Sequence, residues 1–106
     1  MIARVWHGIT TEALADEYQV YILATGFPGL KSTPGNLGVM IFRRTENGKV
    51  HFVLTSFWES FDAISKFAGA DIEKAKYYPA DEKYLVELEP KVVHYEIVAG
   101  QEMIQK

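Results

Sequence analysis

The sequence predicts an α+β domain in which strands and helices follow one another in the order β-α-β-β-α-β. Two local patterns carry this prediction. Asn47-Gly48 separates two apolar runs, which is a strong signal for a tight β-hairpin. Ser60 precedes an amphipathic stretch that begins at Phe61, and serine is a preferred helix N-cap. The order is that of ferredoxin-like folds, with an antiparallel sheet and helices packed on it.

The first part of the chain predicts one strand and one helix. Residues 2–9 form an apolar run that is typical of a strand. The apolar and aromatic positions of the following helix share one face: Leu14, Tyr18, Tyr21, Ile22 and Thr25. Gly26 and Pro28 are expected to end this helix, and residues 29–36, rich in Gly, Ser and Pro, are expected to form a loop.

The second part predicts the hairpin, a second helix and a final strand. The hairpin strands cover residues 37–45 and 49–59. After the helix that follows Ser60 we expect, in order, a helical turn or two over 71–78, a short helix within 81–88 and a last strand over 92–99. Residues 1–99 are therefore expected to form one domain, and residues 100–106 a frayed C-terminal tail.

Composition excludes several classes of function. The net charge is −3 and no Lys/Arg cluster is present, which argues against a nucleic-acid partner. The absence of cysteine excludes a disulfide scaffold, thiolate zinc and thiol catalysis. The N-terminus lacks the pattern of a signal peptide, and no apolar run approaches the ~20 residues that span a bilayer. We therefore expect a soluble, cytoplasmic protein without a membrane partner.

Both faces of the predicted strands are apolar. On the third strand one face carries Phe52, Leu54 and Trp58, and the other carries Val53, Thr55 and Phe57. A monomer would leave one apolar face in water, which soluble monomers rarely tolerate. We therefore expect a homodimer formed by sheet-on-sheet packing, with Trp6 on the face that meets the second copy.

Four phrases of the sequence resemble a known family. They are IARVWHG at residues 2–8, ATGFPG with TPGN at 24–36, SFWES at 56–60 and VVHYEI at 92–97. Together they resemble an antibiotic biosynthesis monooxygenase-type domain of the dimeric α+β barrel superfamily, over nearly the whole chain. SFWES followed by an amphipathic helix is the most specific phrase. The resemblance implies a homodimer whose two sheets pack into a barrel, with a pocket between sheet and helices in each subunit.

The resemblance also implies a reaction. Some members oxygenate phenols or quinols without a metal or flavin, so the expected function is a cofactor-independent monooxygenase acting on a small aromatic or quinol-type compound. An electron-rich phenolate can itself reduce dioxygen, provided that a base deprotonates it in a dry, shaped cavity. Two alternatives stay open: a non-catalytic homodimer that binds a small apolar molecule in stress response or as an accessory protein, and a haem-binding or haem-degrading relative.

Four residues are candidates for the site. His7 is the candidate base, because its ordinary pKa near 6.5 suits proton transfer at neutral pH. Trp58 is the candidate aromatic wall, and Tyr77 or Tyr78 the group that positions the substrate. Each has a structural alternative: a hydrogen-bonded strand histidine, a core indole, and tyrosines that close over the core. The acidic pair at 81–82 is expected to be solvated.

The haem alternative depends on an iron ligand. Haem-degrading relatives use a Trp at the end of the third strand, an Asn on the first strand and a ligand His on the later helical segment. Trp58 matches the Trp, His7 stands in place of the Asn, and Ala75-Lys76-Tyr77 stands in place of the His. The ligand would therefore have to be Tyr77 or Tyr78. The spacing of the three histidines matches no metal motif, so no metal site is expected.

Overall fold

The computed structural model describes residues 1–104 and shows a four-stranded antiparallel sheet with helices on one side. The elements are β1 (Ile2–Thr11), α1 (Ala15–Ala24), α2 (Gly26–Ser32), β2 (Asn36–Glu46), β3 (Lys49–Trp58), α3 (Phe61–Ala68), α4 (Asp81–Tyr84) and β4 (Val93–Glu96). The strand order is β2-β3-β1-β4. This arrangement confirms the predicted ferredoxin-like α+β fold. No helix of the described part is long and apolar enough to cross a membrane.

The core lies between one side of the sheet and the helices. Buried and half-exposed residues alternate along β1 and β3, so each strand has one covered side. The covered side includes Trp6, Phe52 and Trp58, which pack with Tyr18 of α1 and Ile64 of α3 among others. The opposite side, here called the open face, carries exposed apolar residues: Met40, Phe42, Val93 and Tyr95.

The covered side of β1 is the reverse of the expected one. Trp6 was assigned to a dimer surface, yet its side chain is 8% exposed and lies under the helices. Arg4 has the same parity and is also buried, because its guanidinium donates to the carbonyls of Ile72 and Lys74. The side of β1 that carries the charged Arg4 was expected to be the uncovered one. Because Arg4 is in fact buried, the prediction for Trp6, which lies on the same side, is wrong.

Two turn and cap predictions are confirmed. Asn47 and Gly48 have φ values of 50° and 75°, the left-handed pair that a tight hairpin turn between β2 and β3 requires. The hydroxyl of Ser60 accepts a hydrogen bond of 3.2 Å from the N–H of Ala63, which caps α3.

Helix boundaries differ from the prediction in two places. Residues 29–36 were expected to form a loop, but the chain continues from α1 into α2 after a break at Thr25. Pro28 is tolerated there because it lies in the first turn of α2, where its missing N–H would have no helical partner. Residues 71–78, predicted as helical, contain no helix. The short helix predicted within 81–88 is confirmed as α4.

The last strand, near the C-terminus, is shorter than expected. The last strand covers Val93–Glu96 rather than 92–99. A single 3-10 turn at Gln101–Met103 occupies the predicted tail. Residues 105 and 106 of that tail lie outside the described residues.

Candidate functional site

A cavity of about 40 Å³ lies between the covered side of the sheet and the helices. Trp6, Leu54 and Ser56 of the sheet form its floor, and residues of α1 and α2 form one wall. The irregular residues 69–80, here called the closing segment, form a further part of the lining through Lys76 and Tyr78. A cavity needs roughly 10–15 Å³ of such space to hold one water, so this one has room for a few waters as it stands.

A buried carboxyl forms one end of the cavity. Asp81 is 5% exposed and begins α4. Its Oδ1 accepts the phenol O–H of Tyr18 at 3.0 Å, and its Oδ2 accepts the backbone N–H of Tyr78 at 2.6 Å. Burial raises the pKa of Asp81, and the two hydrogen bonds only partly oppose that shift. The predicted solvated acid at position 81 is therefore wrong: this carboxyl is buried, and it retains its proton to a higher pH than an exposed aspartate.

The phenol that donates to Asp81 stays protonated. Burial, with the neighbouring Asp81 carboxyl second, raises the pKa of Tyr18 far above its ordinary value. Tyr18 is therefore a permanent hydrogen-bond donor to the carboxyl. Its ring also packs edge-on against Phe52 of β3, with centroids 5.3 Å apart, which holds the phenol oxygen next to the carboxyl.

A buried cation lies in another part of the cavity lining. Arg4 is 3% exposed, and its guanidinium donates to the Ile72 carbonyl at 3.0 Å and the Lys74 carbonyl at 3.3 Å. The Phe67 ring centroid lies 5.6 Å from the guanidinium carbon. Burial lowers the pKa of Arg4 to about 10, so the side chain is still charged at neutral pH. Within residues 1–104, no ion pair includes Arg4.

One side chain of the cavity lining, that of Lys76, is long, flexible and exposed to solvent. Lys76 is exposed, and its Nζ lies 4.6 Å from the Phe67 ring centroid and 5.8 Å from that of Tyr78. Tyr78 packs close to α2 because residue 29 is glycine: a Cβ there would lie 2.6 Å from the Tyr78 hydroxyl. A long, flexible lysine between two aromatic rings can move aside without breaking any backbone contact.

The four predicted site residues lie in four different places, and of the four only Tyr78 lines the cavity directly. Tyr77 instead packs against Trp6, with ring centroids 6.2 Å apart, and donates to the carbonyl of Glu89. Trp58 is completely buried and donates its indole N–H to the Ser56 hydroxyl at 2.9 Å. It lies behind Ser56, which lines the cavity, and does not itself line it.

His7 lies on the open face, on the opposite side of the sheet from the cavity. Its Nδ1 is 2.6 Å from the Glu89 carboxylate and its Nε2 is 2.9 Å from Nδ1 of His51. Strand alternation separates His7 from Trp6 in this way, since neighbouring residues of a strand point to opposite sides. The group in the cavity that can act as a base is Asp81.

Sequence reasoning missed Arg4, Tyr18 and Asp81 as site residues. The contact between Tyr18 and Asp81 joins residues 63 positions apart, and no local pattern predicts it. One signal was present: an arginine within an apolar strand, two residues from a tryptophan of the same parity. A charged residue on a covered strand side indicates a buried polar site.

Comparison with known proteins identifies the fold. No family model and no curated protein matches the chain. Among solved structures, an arginine-to-serine variant of MhuD with two manganese protoporphyrin IX molecules per active site aligns over 94% of this chain and 97% of that one. Its TM-score is 0.58 and the identity is 19%.

MhuD of Mycobacterium tuberculosis, a haem degrader with two haems bound in its active site, aligns over 94% of this chain and 98% of that one. Its TM-score is 0.56 at 21% identity. The chain has the fold of MhuD. At these identities the likeness to MhuD establishes the architecture, and the chemistry has to be argued from the residues of the cavity.

Proposed function

We propose that the chain is a cofactor-independent monooxygenase that oxidises a small phenolic or quinol-type compound in the cavity. The observation that carries the proposal is the buried Asp81 carboxyl, hydrogen-bonded by Tyr18 and placed beside Tyr78 in an aromatic-lined cavity. A carboxyl whose pKa is raised by burial is a stronger base, once ionised, than an exposed one. It replaces His7 as the candidate base.

The chemistry follows from the groups in the cavity. Ionised Asp81 takes the proton of the substrate hydroxyl, and the permanent donor Tyr18 holds the carboxyl in place. Arg4 and Lys76 give the cavity lining a positive charge, which favours an anionic form of the substrate. The phenolate passes one electron to dioxygen, and the two radicals combine to a peroxide. Loss of water leaves one oxygen atom on the ring; the substrate supplies all four electrons.

Substrate entry requires the cavity to widen. A cavity of roughly 150 Å³ holds a benzene ring, whereas this one measures about 40 Å³. The closing segment has no helix and is attached to β1 through the two Arg4 hydrogen bonds, and Lys76 is an exposed, flexible side chain of the cavity lining. Outward movement of Lys76 and Tyr78 gives a single ring access to Asp81.

Oxygen uptake tests the proposal. The pure, metal-free protein is mixed with a panel of hydroquinones, and oxygen consumption is followed beside the Asp81→Asn and Glu82→Gln variants. Glu82 is the exposed neighbour of Asp81 on α4 and serves as the matched control. We expect turnover in the wild type and in Glu82→Gln but not in Asp81→Asn. Absence of turnover above background removes the proposal, and thermal stabilisation by the same compounds would then favour the non-catalytic ligand-binding alternative.

Haem binding or degradation is the second candidate, favoured by the porphyrins that the MhuD structures hold in the same fold. The Tyr78 phenol is the candidate iron ligand in the cavity lining, and tyrosine ligates haem iron in catalase. A porphyrin needs far more room than a single ring, so the fit is poorer. A Soret shift on haem titration that disappears in Tyr78→Phe would support this candidate, and no shift would remove it.

We also propose that the chain is a homodimer formed through the open face. Met40, Phe42, Val93 and Tyr95 are between 44% and 58% exposed on that face. Met40 and Phe42 lie on the edge strand β2, and Val93 and Tyr95 lie on the opposite edge strand β4, with the half-buried side chains of Val53 and Val5 between the two pairs. An apolar sheet face of this kind is typical of a protein interface. A second copy packed on this face would leave the cavity free, because the cavity lies on the covered side of the sheet.

A further inference from the structure

The positive charge of Arg4 has no partner of opposite sign in the described part of the chain. Two of the five N–H donors of its guanidinium are used by the Ile72 and Lys74 carbonyls, which satisfy hydrogen bonds but do not neutralise the charge. Burying a charge without a counter-ion is strongly unfavourable. The two carbonyl bonds explain why a donor stands at this position; they do not explain why it is a cation.

The titratable groups around Arg4 do not neutralise its charge. His94 is paired with Arg4 across β1 and β4, and burial together with the Arg4 charge lowers the pKa of His94, which keeps the imidazole neutral. Asp81 lines the same cavity but forms no ion pair with Arg4. The cavity therefore contains a buried cation and a buried carboxyl that do not neutralise each other.

We infer that Arg4 binds the carboxylate of an aromatic hydroxy acid whose hydroxyl lies towards Asp81. The planar guanidinium matches a carboxylate with two parallel hydrogen bonds, and within residues 1–104 three of its donors have no carbonyl acceptor. Trp6 and Phe67 line the space as apolar surfaces for a ring. The inference rests on the proposed function for the direction of the hydroxyl, since it takes Asp81 as the base.

The matched ligands are 4-hydroxybenzoate and its methyl ester, which differ in charge and share the ring and hydroxyl. Calorimetric titration of the wild-type full chain at pH 7 is expected to show the acid binding at least about tenfold more tightly than the ester, as hydrogen bonds between charged groups predict. Equal binding, or tighter binding of the ester, would overturn the inference without any variant being needed.

Variants then assign the preference to Arg4. Arg4→Met is expected to bring the acid down to the affinity of the ester and to leave the ester unchanged. Arg4→Lys retains the charge and is expected to keep part of the preference for the acid over the ester. If Arg4→Met does not fold, Arg4→Lys still tests the assignment. A full preference for the acid in a folded Arg4→Met protein would place the anion site elsewhere and overturn the assignment.

The outcomes separate this inference from the proposed function. Preference for the acid with no oxygen uptake on any quinol leaves the Arg4 site standing and removes the monooxygenase. Turnover of neutral quinols with no preference for acids leaves the monooxygenase standing and removes the Arg4 site.

Discussion

The phenol of Tyr18 donates a hydrogen bond of 3.0 Å to the buried carboxyl of Asp81, and this contact joins α1 to the start of α4. The same carboxyl accepts the backbone N–H of Tyr78, so it also fixes the end of the closing segment. The candidate base, Asp81, is therefore hydrogen-bonded to both α1 and the closing segment, two parts of the cavity wall. A change at either residue is expected to alter both protonation and stability.

Replacement of Asp81 by Asn is expected to lower turnover about 10²- to 10⁴-fold, the usual contribution of a general base. Asp81 acts as a base only when ionised, so wild-type kcat/KM is expected to rise with pH through a pKa above the ordinary 3.8. The measurement is a pH profile of oxygen uptake for the wild type, Asp81→Asn and Glu82→Gln. A profile whose acidic limb has an apparent pKa at or below 3.8 would contradict the role of Asp81.

The same carboxyl gives stability a defined dependence on pH. The folded state holds the Asp81 proton more tightly than the unfolded state, so this group favours folding at low pH. Its contribution is lost as pH rises from 3.8 through the raised pKa. Urea denaturation across this window should therefore show Asp81→Asn gaining stability relative to the wild type as pH rises. A relative loss with rising pH would mean that the folded-state pKa is lowered instead.

Replacement of Tyr18 by Phe is expected to move the acidic limb of the activity profile to higher pH. The Tyr18 hydrogen bond stabilises the ionised carboxyl, so its removal raises the pKa of Asp81 further. The unfolding free energy should fall by about 1–3 kcal/mol, because a buried acceptor loses its donor. Tyr95→Phe is the control, since Tyr95 is 58% exposed on the open face. An unchanged limb in Tyr18→Phe would contradict the coupling.

Replacement of each tryptophan by phenylalanine is expected to affect a different property: the stability of the fold at Trp58 and the affinity for ligand at Trp6. Trp58→Phe removes a buried indole and its bond to Ser56, so the unfolding free energy should fall by about 1–3 kcal/mol with little change in ligand affinity. Trp6→Phe alters the cavity lining, so ligand affinity should fall. Calorimetric titration and urea denaturation of both variants measure the two effects. Equal losses of affinity in two folded variants would give Trp58 a direct part in the site.

Local chemistry made much of the fold predictable. Asn47-Gly48 and Ser60 act through backbone geometry and capping within a few residues, and both predictions are confirmed. The helix over Gly26–Ser32 was missed, because Pro28 is compatible with a first helical turn and its presence does not identify a loop.

The candidate site was harder to predict because it depends on contacts distant in sequence. Alternation correctly separates Trp6 from His7, but both parities of β1 are apolar enough to be covered. The covered side includes Arg4, whose acceptors lie 68 and 70 residues away. Asp81 is buried by Tyr18 in the same non-local way. No pattern within a single segment contains this information.

The open face gives the last prediction, which concerns the oligomeric state. If a second copy packs there, a carboxylate introduced at Met40 would be buried without a partner, and the dimer should weaken by about a hundredfold or more. Val20→Glu is the matched control: Val20 is an apolar residue of α1, 69% exposed and away from the sheet.

Sedimentation of the wild type and both variants over a range of concentrations measures the effect. The wild type and Val20→Glu should sediment as dimers under conditions in which Met40→Glu is a monomer. The hydrogen-bonded row of Glu89, His7 and His51 lies on the same face, so its side chains would then lie at or near the contact between the two copies. A wild type that stays monomeric at the highest concentration would leave the open face in solvent, and the homodimer would have to be abandoned.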